Sequence, residues 1–417
     1  MCQTLFFVPN EIAGIPVFGF GLLLGIWGLV SVGVLIWLAR RRAGGGDTWS
    51  CLAILLAVAA VIAWLLPALC KPQGLPIRGY GVMMLVAVLA GTALAVWRAR
   101  RVGQDPEMVF SLVFWLFVFG IVGARTFFVI EYWSDDYWPV YGRSGPAAFV
   151  GALLNVAEGG LVIYGGLIGA TVGMILFVRK HRLPLLAVAD LIAPSLLLGL
   201  GIGRIGCLLN GCCFGAACDH DWAVTFPAGS PPYQVQVFRG QLYGFTLPGD
   251  QESAPVVQSV DPDSPAGRAG LQSGDVLSAI NATPVDKTGV VNWLLQNPRQ
   301  QQKVVLGLQH RPPVAFPVAH RSLPVHPTQV YSMINAFGLC LLLLAYDRFR
   351  RRDGELFALM LTIYPITRFL LEIIRTDEPA IFGTGLTISQ NISLLMLAFA
   401  AGLWFYILRR CPGKAFG

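Results

Sequence analysis

Long apolar runs without a charged residue constrain this chain more than any other feature. Because a helix needs roughly 20 apolar residues to cross about 30 Å of hydrocarbon, each such run predicts a transmembrane helix. Six runs qualify: Ile15 to Leu38, Thr48 to Cys70, Gly79 to Trp97, Gly159 to Val178, Pro327 to Tyr346 and Pro379 to Leu408. With 55% hydrophobic and 13% charged residues, the composition is not that of a soluble globular protein, so we predict an all-α polytopic membrane protein.

Three further apolar runs are each interrupted by one charge, at Arg125, Asp190 and Arg368, which gives nine predicted spans. Basic clusters follow alternate spans, at residues 40–42, 98–101, 179–182, 348–352 and 409–414. By the positive-inside rule these clusters face the cytoplasm, which leaves the amino terminus and residues 207–326 outside and the carboxyl terminus inside. We therefore attribute the net charge of +7 to topology and expect no nucleic-acid partner.

The long outward loop differs in composition from the spans. It is polar, rich in Gln and Pro, and its alternating apolar stretches predict short strands. At about 80 residues it is large enough for a separate α+β domain, which we place at residues 240–320. Residues 264–281 resemble the middle of a bacterial PDZ domain, and residues 243–247 take the position of the loop that holds a peptide carboxylate in such domains. The insert is either a peptide-binding domain or a spacer that binds no peptide.

Charged residues inside predicted spans are the first candidates for chemistry, because a charge in a span costs at least about 2.5 kcal/mol and is usually kept for function. The candidates are Arg125, Asp190, Arg204, Arg368 and Glu372. Arg204 lies in a glycine-rich stretch that allows close backbone approach, and its guanidinium suits a phosphate. Arg368, Glu372 and Arg375 follow spacings of four and three and share one helix face. The alternative role of these charges is to pair with one another and fix helix packing.

Seven motifs in order carry a family resemblance. They are Gly79-Tyr80-Gly81, Gly123-Ala124-Arg125, the glycine-rich residues 159–169, Ala189 to Pro194, Gly203-Arg204 through Gly215, His326 to Tyr331, and Arg368 to Arg375. From residue 80 to the end, without the insert, the chain resembles prolipoprotein diacylglyceryl transferase, an enzyme of the bacterial inner membrane.

The resemblance implies a seven-helix core at residues 75–239 and 321–417, to which residues 1–74 add an N-terminal helix pair. It implies transfer of the diacylglyceryl group of phosphatidylglycerol to the lipobox cysteine in the signal peptide of a preprolipoprotein, at the outer face of the inner membrane, without a cofactor. Arg204 and Arg368 match family arginines that stabilise the departing phosphate. The candidate catalytic residues are Tyr164, His326, Arg368 and Glu372. The candidate phosphatidylglycerol-binding residues are Tyr80, Arg125, Arg204, Asn210, Gly215 and Arg375.

The sequence departs from the family pattern at three positions. Tyr164 replaces a frequent His, Cys207 replaces the usual Asn, and Cys212 replaces a frequent Glu. The first change leaves the general base open. Tyrosine has an ordinary pKa near 10 and would need a neighbouring cation, whereas His326 has an ordinary pKa near 6.5 and is chemically the easier base.

Four cysteines lie close together on the outward side, at positions 207, 212, 213 and 218. Their spacing fits no common zinc motif, so we predict no metal site; a disulfide bond or tight packing of small residues is expected instead. A metalloprotease is excluded because none of the histidines has a His-Glu-x-x-His context. The remaining alternative to the transferase is a diverged, non-enzymatic member that binds phospholipid or lipoprotein precursors through its PDZ-like domain.

Overall fold

The computed structural model describes residues 4–12, 14–40, 45–70, 72–133, 137–138, 145, 151–153, 160, 162–298, 302–375, 380–381, 383, 385–409 and 411–416. The chain divides into two compact units. The first comprises residues 1–83 and 209–211, and the second comprises residues 84–208 and 212–417.

The first unit contains short strands and the N-terminal helices. Its strands are β1 (Thr4–Val8), β2 (Glu11–Ile12), β3 (Ile15–Pro16) and β4 (Leu75–Arg78), and β1 pairs antiparallel with β4. Its helices are α1 (Leu22–Arg40), α2 (Gly45–Ala60), a π-helical turn at Val61–Leu65 and α3 (Leu66–Leu69). In the described residues the apolar portions are Leu22–Trp37 and Leu55–Ala68, too short to count as full spans. The two extra helices are therefore present, but the predicted total of nine spans is not confirmed.

Seven helices among the described residues are long and apolar enough to cross a membrane. They are α4 (Gly79–Arg101), α5 (Pro106–Glu131), α6 (Ile163–Lys180), α7 (Leu185–Asn210), α11 (Thr328–Tyr346), α12 (Glu355–Ile374) and α13 (Ile388–Leu408), with α8 to α10 in the insert described below. The prediction of a mostly helical, polytopic membrane protein is confirmed, and these seven helices are the ones that the sequence assigns to the core.

Glycines bring α5 and α6 into close contact. Gly165, Gly169 and Gly173 are spaced by four and are all buried on one face of α6. A β-carbon added at Gly123 of α5 would lie 2.4 Å from the carbonyl oxygen of Gly165 and 2.7 Å from the Cα of Gly169. Such small-residue faces let helix backbones approach closely inside a membrane, where van der Waals packing holds helices together.

A polar network built around Asp190 ties α7 to the α11–α12 connection. The Asp190 side chain is fully buried. Its carboxylate accepts hydrogen bonds from Arg350 Nη1 at 2.9 Å and from the backbone amides of Gly354 and Phe357 at 2.7 and 2.9 Å. Arg98 of α4 donates to the Asp190 backbone carbonyl at 2.6 Å. These bonds satisfy a carboxylate that would otherwise be costly to bury, so the network stabilises the packing of these helices.

The insert forms an α+β unit with its own hydrophobic core. Its helices are α8 (Pro231–Phe238), α9 (Pro265–Arg268) and α10 (Thr288–Gln296). Its strands are β5 (Phe245–Thr246), β6 (Ser259–Val260), β7 (Leu277–Ile280), β8 (Thr283–Pro284), β9 (Lys303–Leu308) and β10 (Val314–Pro317). Four of them form an antiparallel sheet in the order β10-β9-β7-β8.

The core of the insert extends beyond residues 240–320. It includes Tyr233 and Val237 of α8, both buried, and reaches Val318. The amide of Ala228 donates to the carbonyl of His320 at 3.0 Å, so the two chain ends of the insert lie side by side. Residues of α8 thus belong to the hydrophobic core of the insert, while the predicted bounds of the domain, residues 240–320, stay a prediction.

Candidate functional site

Three chain segments meet at Gly215. Its amide donates to the His326 carbonyl at 3.0 Å, and it forms a β-bridge with Arg375. A β-carbon at Gly215 would lie 2.7 Å from the β-carbon of His326 and 2.8 Å from a methyl of Thr328. The absence of a side chain therefore allows the segment after α7 to pack against the start of α11 and the end of α12. Residues that are distant in sequence are brought to one site in this way.

The charged face of α12 forms a chain of ion pairs. The Glu372 carboxylate, fully buried, pairs with the guanidinium of Arg368 and with Arg375 Nη1, the latter at 3.4 Å. Arg368 also donates through Nη2 to the hydroxyl of Ser389 on α13 at 2.9 Å. Arg368 and Glu372 share a face of α12 as their spacing predicts, whereas Arg375 follows the end of the helix with an extended backbone and reaches Glu372 from there. Two arginines held by one carboxylate leave a surplus of positive charge at this end of the helix.

Arg204 of α7 adds a third guanidinium to the site. Tyr364 and the Cys213 and Cys207 sulfurs lie close enough to interact with it electrostatically, and Arg375 lies close enough to repel it. Among the residues that the structure describes, Arg204 donates no hydrogen bond to any side chain or carbonyl. A guanidinium has five N–H donors, so this cation can accept an anionic ligand bidentately.

Asp190 lies apart from these residues although it shares α7 with Arg204. The two positions are 14 residues apart, about 21 Å along a helix. Asp190 is engaged with Arg350 at the other end of the bundle. Of the charged residues that the spans contain, Asp190 is therefore a structural one.

Arg125 of α5 holds the segment that leads into α6. It donates to the carbonyls of Ala152, Leu153 and Gly160 at 2.6, 2.9 and 3.2 Å. The same segment is fixed by a bond from the Val162 amide to the Ala124 carbonyl. These contacts orient the start of α6, which carries Tyr164 as its second residue, half-buried. In the structure Arg125 is thus engaged with backbone, which suits a positioning role more than direct contact with a lipid.

His326 lies in an aromatic cluster. Its Nδ1 is 3.3 Å from the hydroxyl of Tyr331, and that hydroxyl accepts a hydrogen bond from Trp222 Nε1 at 2.9 Å. The ring of His220 packs against Trp222 with a centroid distance of 4.5 Å. Because the Tyr331 oxygen already accepts a bond from Trp222, its own proton is available to His326 Nδ1.

Two predicted site residues fall in the first compact unit. Tyr80 is the second residue of α4 and is 40% exposed, and Asn210 is the last residue of α7. Their predicted contact with phospholipid stays a prediction.

The structure adds residues to which the sequence analysis assigned no role, namely Ser389, Tyr364, Tyr331 and Trp222. Two of them lie in recognisable sequence patterns. Thr387 and Gln390 form a capping box at the start of α13, a Thr-x-x-Gln pattern that includes Ser389, and Tyr331 ends the motif that begins at His326. For Tyr364 and Trp222 no local pattern distinguishes a site residue from ordinary packing.

The outward cysteines form no disulfide bond among the described residues, which agrees with tight packing, the second of the two expected arrangements. Cys218 is buried, while Cys207, Cys212 and Cys213 are half-buried beside Arg204. Hydrogen bonds from the Cys207 and Cys212 thiols, with the positive charges of Arg204 and Arg375, hold the pKa of the Cys213 thiol well below its ordinary value, against the opposing effect of burial.

Known proteins that are similar to this chain are diacylglyceryl transferases. The model of the family described as prolipoprotein diacylglyceryl transferase matches residues 67–406. The chain belongs to this family. It is 34% identical to the phosphatidylglycerol–prolipoprotein diacylglyceryl transferase of Rhodopirellula baltica, over 95% of this chain and 87% of that protein. It is 25% identical to a second such enzyme, from Clostridium perfringens, over 82% of this chain and 94% of that protein. The resemblance inferred from the seven motifs is confirmed, and the chain is a transferase.

Proposed function

We propose that this transferase moves the diacylglyceryl group of phosphatidylglycerol to the cysteine thiol of a prolipoprotein, the reaction named for its relatives. The cysteine sulfur attacks the terminal carbon of the diacylglyceryl group, and the bond between that carbon and a phosphate oxygen breaks. A thioether forms and glycerol phosphate leaves with the electron pair, while the thiol proton passes to a base. The reaction needs a deprotonated thiol and cations for the departing phosphate.

The observation that carries this proposal is the Arg204 guanidinium, which has no hydrogen-bond acceptor in the described part of the chain and lies beside a second cation, Arg375. Arg368 and Arg375 share one carboxylate, that of Glu372, so the described site holds more guanidinium groups than carboxylates. A phosphodiester in this position gains charge on its oxygens as the carbon–oxygen bond breaks. Fixed cations that favour this added charge lower the barrier.

The base is assigned to Tyr164 or His326, and each assignment has a physical requirement. Tyr164 is the second residue of α6. Arg125 donates a hydrogen bond to the segment just before this helix, which fixes the position of Tyr164. His326 can accept a proton only through a ring nitrogen that no other donor occupies, and Nδ1 faces the Tyr331 hydroxyl. With Tyr331 donating, the second nitrogen of His326 carries hydrogen, which favours Tyr164 as the base.

The proposed orientation places this site at the outer membrane face. Helices α4 and α6 each end in basic residues, and basic residues also follow the ends of α11 and α13. Tyr164, His326 and Arg368 lie at the opposite ends of their helices or just beyond them. With the basic ends in the cytoplasm of a bacterial inner membrane, the site and the insert face the periplasm, and the helix pair α1–α3 brings the number of spans to nine.

We also propose that the insert binds an extended peptide. A cavity of about 390 Å³ lies beside β5 and is lined by Gly244, Phe245, Thr246 and Ser259, which include the loop expected to hold a peptide carboxylate. Titration of the full chain with a labelled C-terminal peptide should saturate, and Ser259→Glu, at an exposed residue that lines the cavity, should weaken this binding by repelling the peptide carboxylate. Absence of saturable binding would leave the insert as a spacer, and equal binding by the variant would exclude this cavity as the peptide site.

The test of the transferase assignment is Arg204→Ala in the purified full chain, with phosphatidylglycerol and a lipobox peptide as substrates. Loss of a charge-assisted contact in the transition state should lower the rate about a hundredfold, on the order of 3 kcal/mol. Arg204→Lys should recover little, since lysine lacks the planar fork. Arg268→Ala, an exposed arginine of the insert, is the matched control and should be fully active.

Near-normal turnover of Arg204→Ala would contradict the role of this residue. Failure of the wild-type chain to restore lipoprotein maturation in cells depleted of their own transferase would contradict the function itself.

A further inference from the structure

Three thiols gather at the end of α7 and the transfer reaction does not require them. Cys207 lies on the last turn of the helix, and Cys212 and Cys213 follow it. Their sulfur atoms all lie within 4.8 Å of one another. Three half-buried thiols this close form a ligand set that the sequence spacing did not predict.

The start of α11 holds the two adjacent cysteines in place. Gln329 Nε2 donates to the Cys212 carbonyl at 2.7 Å, and Thr328 Oγ1 donates to the Cys213 carbonyl at 2.5 Å. Both donor residues are only 1% exposed. Cys213 itself has a left-handed backbone with φ of 59°, an uncommon conformation for a residue other than glycine. Buried hydrogen bonds thus maintain a backbone that brings the adjacent cysteines to Cys207.

The geometry fits a metal ion with three sulfur ligands. With a metal–sulfur distance of about 2.3 Å, three ligands in a trigonal plane have their sulfurs about 4 Å apart. The present separations need to shrink by less than about 1 Å, which side-chain rotation supplies. Among the described residues, no fourth Cys, His, Asp or Glu joins the group, whereas zinc in structural sites almost always has four ligands.

Ligand type and charge favour a soft, monovalent ion. Thiolates select Cu(I) over harder cations. A Cu(I) ion with three thiolates carries two negative charges, and Arg204 and Arg375 lie close enough to Cys213 to offset them. A carboxylate-rich or neutral environment would give no such compensation.

We propose that Cys207, Cys212 and Cys213 bind one Cu(I) ion in a three-coordinate thiolate site. The three sulfurs bind as thiolates, so each thiol that is still protonated loses its proton to solvent on binding, and the copper remains Cu(I) throughout. The site borders Arg204 and Arg375, which the proposed function assigns to phosphate. Its readout is copper binding and not transfer, so failure of this proposal is distinguishable from failure of the proposed function.

The experiment uses the purified full chain, reduced and metal-free, titrated anaerobically with Cu(I) against a chromogenic Cu(I) chelator. We expect one copper per chain, with three sulfur neighbours by X-ray absorption. Cys213→Ser should weaken binding at least about a hundredfold, because loss of a direct ligand costs more than loss of a supporting contact. Cys218→Ser is the matched control, a buried cysteine of the same segment outside the group, and should bind as the wild type does.

A second measurement does not rely on variants. In the wild-type chain, Cu(I) should protect the three clustered thiols from iodoacetamide and leave the exposed Cys411 reactive, as read by peptide mass spectrometry. No binding above that of the triple serine variant, an equal loss in Cys218→Ser, or a disulfide within the group in protein isolated from membranes would each overturn the proposal.

Discussion

Replacement of Gly123 by alanine is the sharpest test of how the helices around the site pack. Gly123 faces α6, and a β-carbon there would lie 2.4 Å from the Gly165 carbonyl oxygen and 2.7 Å from the Gly169 Cα. Both neighbours are backbone atoms, so no side chain can rotate away. Gly120 lies three residues earlier on α5, and a β-carbon there would meet its nearest atom, the Gly166 carbonyl oxygen, at 3.7 Å.

The two substitutions have different expected costs. Ordinary contact begins near 3.4 Å, so Gly123→Ala requires α5 and α6 to separate by about 1 Å. Overpacking of this kind typically costs about 1–3 kcal/mol. Gly120→Ala adds a methyl at ordinary contact distance and also removes a helix-interior glycine, so it should be neutral or slightly stabilising.

The measurement is thermal unfolding of the full chain in detergent, followed by tryptophan fluorescence. Gly123→Ala should lower Tm by roughly 2–12 °C relative to Gly120→Ala, from about 1–3 kcal/mol at the sensitivity usual for domains of 150–250 residues. Its transfer rate should fall as well, because α5 and α6 carry Arg125 and Tyr164. Equal Tm values for the two variants would refute the close contact of these helices.

Three further outcomes are expected. Glu372→Gln leaves the guanidinium groups of Arg368 and Arg375 without their shared carboxylate. It should lower the free energy of unfolding by about 3–5 kcal/mol, measured as a lower Tm. Glu252→Gln, at an exposed ion pair, is the control and should leave Tm unchanged. Excision of residues 229–319 removes the insert with its whole core and rejoins two chain ends that are already hydrogen-bonded to each other. The membrane spans should therefore stay folded, and the shortened chain should stay active on a short lipobox peptide. Loss of membrane insertion would contradict this. If Tyr164 is the base, Tyr164→Phe should lower the rate at least tenfold and Tyr164→His should retain activity with a pH profile shifted downward, whereas a large loss confined to His326→Gln would assign the base to histidine.

The sequence predicts the core spans and the charged face of α12 because both depend on local patterns. Apolar runs define seven helices, and spacings of four and three place Arg368, Glu372 and Arg375 together. The role of Asp190 could not be predicted in this way. Its partner Arg350 lies 160 residues away, and a charge inside a span looks the same in sequence whether it binds substrate or another helix.

For a related reason, the sequence did not predict that the thiols of Cys207, Cys212 and Cys213 lie together. Motif spacing predicts a metal site only when the backbone between ligands follows a known turn, and no common motif has the spacing of positions 207, 212 and 213. The left-handed backbone of Cys213 and its contacts with α11, more than 110 residues later in sequence, decide where the sulfurs lie. The packing of α8 into the insert core has the same origin, since the core residues that it contacts lie far along the chain.

The Asp190 network also bears on the order in which this protein is made. The side-chain partners of Asp190 in the described chain, at Arg350, Gly354 and Phe357, are all synthesised after the insert. While the ribosome is still translating the insert, α7 carries a carboxylate whose folded-state partners do not yet exist. A nascent chain halted at this stage holds a carboxylate in or near the bilayer without those partners, which is costly. Synthesis of the α11–α12 connection and the start of α12 supplies them, so the packing of α7 is completed late in translation.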